Sequence, residues 1–224
     1  MNFLSHFYFD RYNNDPNIVL GTVLPDLVKN ARKDWNLRPE KNEALFLGLT
    51  EKSILKGWKR HLAVDRHFHN SGFFIKHTNA MRKAIAPVLV HSPVRPSFVA
   101  HIALEIMLDS ILLTEDIIDP SDLYTNLRLS DRSALKSFFQ LTTMDDPVHF
   151  FKFFDNFIEV NYLGSYREAH NIMYAINRIC MRIWPEPLND TQLLQLSSIL
   201  LAYHNELQRG YMEIFEEIEK VVDR

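Results

Sequence analysis

Three ionisable residues interrupt one of the most apolar stretches of the chain. Ser97–Leu113 reads SFVAHIALEIMLDSILL, and its ionisable side chains are His101, Glu105 and Asp109. On a helix, the spacing i, i+4, i+8 stacks them within about 80° of arc, one turn above another. With apolar residues all round, this helix is expected to be buried over most of its circumference. Ionisable groups in such a place cost several kcal/mol each unless they are paired or bind a metal. A second segment, GWKRHLAVDRHFHN, repeats the spacing with His61, Asp65 and His69. Adjacent members of a set can share one ion, whereas the outer members lie about 12 Å apart along the axis. Each helix would therefore supply one or two ligands. Packed face to face, the two would form a His/carboxylate pocket of the kind that binds divalent metals in helical bundles. The same residues also allow a His–carboxylate ion-pair network without metal.

Spacing alone does not separate these readings. With 28 acidic residues and ten histidines in 224, such triplets arise by chance. The apolar setting of His101, Glu105 and Asp109 is the informative part. Two further polar residues share such a setting: His6 in NFLSHFYF and Asp26 in VLGTVLPDLV. An isolated histidine of this kind is more often a satisfied core residue than a ligand, and Asp26, after Pro25, could cap a helix. His67, His77, His91, His149, His170 and His204 lack comparable company and read as surface or core. No P-loop, dinucleotide-binding glycine motif, nucleophile elbow or H-E-x-x-H occurs. The chemistry open to this chain is metal-assisted.

The elements that must position these residues read as helices. Apolar residues recur every three or four positions, and no alternating strand pattern is present. The clearest run is Leu193 to Val221, with Asn189 or Asp190 as cap and a bend at Gly210. The segment from Ser97 to Leu113 follows the breakers Pro93 and Pro96. Other helices are expected near 2–12, 17–32, 42–55, 57–69, 74–90, 131–142, 147–160 and 166–183. DPSD, TTMDDP and WPEPLND read as linkers. The expected fold is all-α, a single-domain multi-helix bundle over 1–224. Six glycines, ten prolines, 46% hydrophobic and 24% charged residues suit such a fold. No stretch of about 18 apolar residues is present, so no membrane span is expected. The lone Cys180 and the absence of a signal-peptide pattern point to the cytoplasm.

A net charge of −3 argues against nucleic-acid binding, yet its distribution is uneven. Between Val28 and Arg60 nine basic residues, Lys29, Arg32 and Lys33 among them, face four acidic ones. This basic window is either a solvated face or a surface that steers an anionic partner.

The sequence resembles the acyl-carrier-protein phosphodiesterase family, a small all-helical group distantly similar to HD-domain metal phosphohydrolases. MNFLSHF (Met1–Phe7) is similar to the family's M-N-F-L-A-H-L, and GTVLPDL (Gly21–Leu27) to its G-N-x-x-A-D-F. GWKRHLAVDRHFH (Gly57–His69) resembles G-x-x-x-H-R-x-I-D-x-x-x-D, and EIMLDSIL (Glu105–Leu112) resembles D-x-x-x-D-H-x-L. Tyr203–Phe215 is similar to the closing Y-x-x-L-x-x-x-F helix. The resemblance implies an HD-like architecture with metal ligands at Asp26, His61, Asp65 and Asp109, and His6 nearby. It implies hydrolysis of the phosphodiester joining phosphopantetheine to a carrier-protein serine, with Mn²⁺, Mg²⁺, Fe²⁺ or Zn²⁺ bound. The chain departs from the family at His69, where an acid is expected, and at Glu105, which replaces an aspartate. It departs again at Ser110, which replaces a histidine, and at His101, which could restore the lost imidazole. His69 or His101 would serve as general acid or base, with Glu105 beside them. Carrier proteins are strongly acidic, so Lys29, Arg32 and Lys33 would suit docking of such a partner. The alternatives are a phosphohydrolase of the same fold acting on another small phosphoester, and a non-catalytic interaction protein.

Overall fold

Aspartate followed by proline starts a helix well. The carboxylate accepts orphan N–H groups, and proline at the first helical position has no N–H to leave unpaired. The chain uses this pair at Asp15, Asp119 and Asp146, each of which accepts a first-turn backbone N–H. In a computed structural model, which describes residues 1–222, no strand occurs among the described residues. These residues form two compact units.

The first unit comprises Met1–Asp65 and Ile118–Gly164. It holds α1 (Phe3–Tyr8), α2 (Pro16–Ala31), the residues Leu49–Asp65 of α3 (Leu49–Asn70), α6 (Pro120–Leu129), α7 (Arg132–Leu141) and α8 (Pro147–Val160). Its core is rich in phenylalanine. Phe157 of α8 meets Phe3 at 5.0 Å and Tyr124 at 5.5 Å between ring centroids, and Phe138 of α7 meets Phe46 at 4.9 Å. Helices α2 and α3 cross at two glycines. A Cβ on Gly21 would lie 2.2 Å from the Ile54 carbonyl oxygen, and one on Gly57 would lie 2.1 Å from that of Ile18. No other residue permits so close an approach of two backbones. The crossing sets Thr22 of α2 beside His61 of α3.

The second unit comprises Arg66–Ile117 and Ser165–Arg224. It holds the end of α3, then α4 (Gly72–Ile85), α5 (Pro96–Thr114), α9 (His170–Met181), α10 (Asp190–Leu207) and α11 (Met212–Val222). Helix α5 forms its centre, and Val99, Leu104, Met107, Leu108 and Ile111 are inaccessible to solvent. By length and composition α5 could cross a membrane, with 67% of its most apolar window buried inside the protein. The expectation that no stretch is long and apolar enough does not hold for α5, because Glu105 and Asp109 do not remove its apolar character. Burial of this extent is the pattern of a core helix.

Several boundaries differ from expectation. Helices anticipated at 42–55 and 57–69 are one helix, because Gly57 marks a close crossing and not a break. Residues 43–45 form a separate 3-10 turn. DPSD is no linker but the capped start of α6, which the sequence reading missed. Helix α1 ends at Tyr8, where Phe9 and Asp10 turn back to the His6 and Phe7 carbonyls. The helix expected over 166–183 begins at His170, after a 3-10 turn over Tyr162–Arg167. Near Gly210 the chain breaks into α10 and α11 and does not merely bend. Asn189, with Gln192 reciprocating, is the cap of α10.

Candidate functional site

Two histidine–carboxylate groups assemble, one within each unit. In the first unit, α1 supplies His6, α2 supplies Asp26, and α3 supplies His61 and Asp65 one turn apart. The His6 and His61 rings stack at 3.8 Å between centroids. Nε2 of His6 lies 3.2 Å from Asp65 Oδ1, and Nε2 of His61 lies 3.6 Å from Asp65 Oδ2 and 4.0 Å from Asp26 Oδ1. One ligand atom each from His6, His61 and Asp65 falls within 4.8 Å of the others. The Met1 amino group donates to Asp65 Oδ1 at 2.7 Å. His6 and His61 are buried, whereas the Asp65 side chain remains 32% exposed, so the group has one face toward water.

The orientation of His61 carries chemical information. Its Nδ1 lies 2.8 Å from the Thr22 carbonyl oxygen, which can only accept, so Nδ1 bears the proton. In the neutral ring, Nε2 then turns its lone pair toward the oxygens of Asp65 and Asp26. Burial pushes the His61 pKa well below the ordinary histidine value, and His6 adds to this against the pull of Asp65. Burial also raises the Asp65 carboxyl, but the Met1 ammonium and His6 outweigh it and hold it well below the usual carboxylate range. A lone pair facing anionic oxygens is the arrangement a divalent cation resolves. A metal-binding histidine is commonly held in this way, with its second nitrogen donating to a backbone carbonyl.

In the second unit, His69 at the end of α3 meets His101 and Glu105 of α5. Nε2 of His69 lies 3.1 Å from Nε2 of His101 and 3.2 Å from Glu105 Oε1, and the His101–Glu105 separation is 3.0 Å. Burial opposes ionisation of Glu105, while the charge of the Met1 ammonium, and after it hydrogen bonds from His101 and His69, favour it; its pKa lies well below the usual range.

The expected site residues thus fall into place unevenly. His6, Asp26, His61 and Asp65 come together, and so do His69, His101 and Glu105. Asp26 lies inside α2, whose N-cap is Asp15. Asp109 is completely buried on α5 in the second unit. Of the expected burial around the α5 triplet, only Asp109 has it in full; the His101 side chain is 43% exposed and that of Glu105 16%. Ser110 is buried, donates to the Tyr166 carbonyl at 2.7 Å and lies 3.2 Å from Nε2 of His204. Lys29 and Lys33 are exposed on the first unit, while Arg32 pairs with Asp34 and Asp145. The sequence reading missed Thr22.

A family model described as acyl carrier protein phosphodiesterase matches residues 1–218. No curated protein matches the chain, and neither does any solved structure.

Proposed function

The chain belongs to the acyl carrier protein phosphodiesterase family, and from that premise we propose that it is a metal-dependent phosphodiesterase of HD-like type whose ion is held by His6, Asp26, His61 and Asp65. The observation that carries the metal reading is the His61 ring, fixed by the Thr22 carbonyl with Nε2 turned to two carboxylates. Imidazole and carboxylate together suit Mn²⁺, Fe²⁺, Zn²⁺ or Mg²⁺ without selecting strongly among them. Asp109, in the second unit, is not included in this ligand set.

The proposed substrate is holo acyl carrier protein. A water oxygen forms a bond to phosphorus and gives up a proton, the bond from phosphorus to the serine oxygen breaks, and that oxygen takes up a proton, so that one water is consumed and phosphopantetheine and the free serine are released. A bound divalent ion would polarise the phosphoryl oxygens and lower the pKa of the attacking water. Asp26 and Asp65 would hold the ion by their charge, and the stacked His6 and His61 close the buried side against bulk water. Docking of the acidic carrier is proposed at Lys29 and Lys33, which are exposed. Arg32, expected beside them, is partly neutralised by Asp34 and Asp145 and contributes less.

The test combines elemental analysis of the purified chain with an assay on holo carrier protein. The native chain is expected to hold a transition metal and release phosphopantetheine, and His61→Ala to lose the activity together with the metal of the first unit. Lys29→Glu with Lys33→Glu should raise KM and leave metal content and kcat unchanged. A metal-bearing chain inert toward holo carrier protein but active on small phosphodiesters would favour the reading in which Ser110 and His69 mark a changed substrate. A chain that takes up no metal in the first unit would leave a buried ion-pair network, and the enzyme reading would go.

A further inference from the structure

The group at His69, His101 and Glu105 has no part in the site just proposed, and its geometry is that of a ligand set in its own right. Three donor atoms, two imidazole Nε2 and one carboxylate oxygen, form a nearly equilateral triangle with sides of 3.0, 3.1 and 3.2 Å. An imidazole nitrogen has a single in-plane site, filled by either a proton or a lone pair. If both Nε2 atoms carry protons, two donors oppose each other at 3.1 Å. If either carries a lone pair, that lone pair opposes the Glu105 carboxylate oxygen at 3.0 or 3.2 Å. With Glu105 ionised, as a carboxylate is at neutral pH, no placement of protons satisfies all three contacts. One cation satisfies them together. Ligands about 2.0–2.1 Å from a tetrahedral ion lie on the order of 3.3 Å apart, close to the separations found here.

We propose that His69, His101 and Glu105 form a second metal site within the second unit, a two-histidine, one-carboxylate set for a first-row divalent transition metal. Two imidazole nitrogens beside one carboxylate oxygen suit first-row divalent transition metals, without selecting strongly among them. The set is built on rigid elements: His101 and Glu105 are one turn apart on α5. Phe74 of α4 sets its ring edge-on to both histidines at 5.0 Å, which limits their rotation. Three protein ligands on one side leave further coordination positions open, as catalytic sites do and closed structural sites do not. The His69 and His101 side chains are 31% and 43% exposed, so solvent reaches the group. An oxyanion such as a phosphate oxygen is the class of ligand that would complete the coordination.

One experiment tests the two ligand sets separately. The full chain, stripped with chelator, is titrated with Co²⁺, whose visible absorption reports imidazole ligation, and bound ion is counted after gel filtration. Two equivalents are expected for the native chain. His101→Ala and His69→Gln should each bind one, and His61→Ala one. His61→Ala with His101→Ala should bind none. His69→Gln keeps a hydrogen-bonding side chain at that position, and circular dichroism of each variant reports its folding. Co²⁺ uptake that is the same with and without His101 overturns the second site. Uptake lost by His101→Ala but unaffected by His61→Ala upholds it and removes the first.

Discussion

The Thr22 carbonyl takes the Nδ1 proton of His61, while the Thr22 hydroxyl donates to Asp10 Oδ2 at 2.7 Å. One residue thus uses backbone and side chain for separate tasks. Asp10 is buried and is also held by Asn13 and Arg60. Thr22→Val keeps the shape and the carbonyl but removes one donor from a buried carboxylate, which costs about 1–3 kcal/mol. Urea unfolding should register that loss with an unchanged slope, and metal uptake per chain should stay at the native value. A fall in uptake would mean that the hydroxyl and not the carbonyl positions His61. Legibility at this scale followed the side chains. His61 with Asp65 and His101 with Glu105 were readable because i, i+4 spacing puts them on one helical face. His6 and Asp26 were visible only as polar residues in apolar settings. Thr22 was invisible, since any residue could supply the carbonyl it uses.

Gly21 and Gly57 decide how α2 and α3 meet, and so where Thr22 stands relative to His61. Alanine at a helical glycine ordinarily gains about 0.5–1 kcal/mol of helix propensity. Here the added Cβ would lie 2.1–2.2 Å from backbone oxygens of the facing helix, which cannot rotate away. The helices must part, and overpacking of this kind costs about 1–3 kcal/mol. Gly57→Ala is therefore expected to lower the thermal midpoint and weaken metal uptake in the first unit together. Gly72→Ala, whose Cβ would meet nothing within 4 Å, should leave both unchanged or raise the midpoint. If Gly57→Ala behaves like Gly72→Ala, the crossing is looser than drawn. The same glycine misled the sequence reading, because a backbone-contact glycine and a helix-breaking glycine look alike in one dimension. Asp119-Pro120 misled it in the opposite sense. A pair that can end one element can equally cap the next, and only the chain beyond it, Leu123 to Leu127, tells which.

At the scale of the whole molecule, the all-helical class was legible because apolar periodicity is a property of every segment. The division into two units was not, since one boundary falls inside α3 and no linker marks it. Buried and half-buried histidines are spread over both units and give the fold a common response to acid. His204 packs against Ser110, and burial lowers its pKa; burial also lowers that of His77, with Lys76 adding to the effect. In the unfolded chain these rings titrate near the reference value of about 6.5. As pH falls through that value the unfolded state takes up protons that the folded state refuses, so stability drops. The contribution is fully present above about pH 6.5 and is lost progressively below it. His61 acts with the same sign in the metal-free chain. The thermal midpoint of the chelated protein should therefore fall between about pH 7.5 and about pH 5.5. His204→Gln, which can still donate to Ser110 but does not titrate, should shrink that fall. An equal fall in the variant would assign the acid sensitivity to His77 and His61 alone.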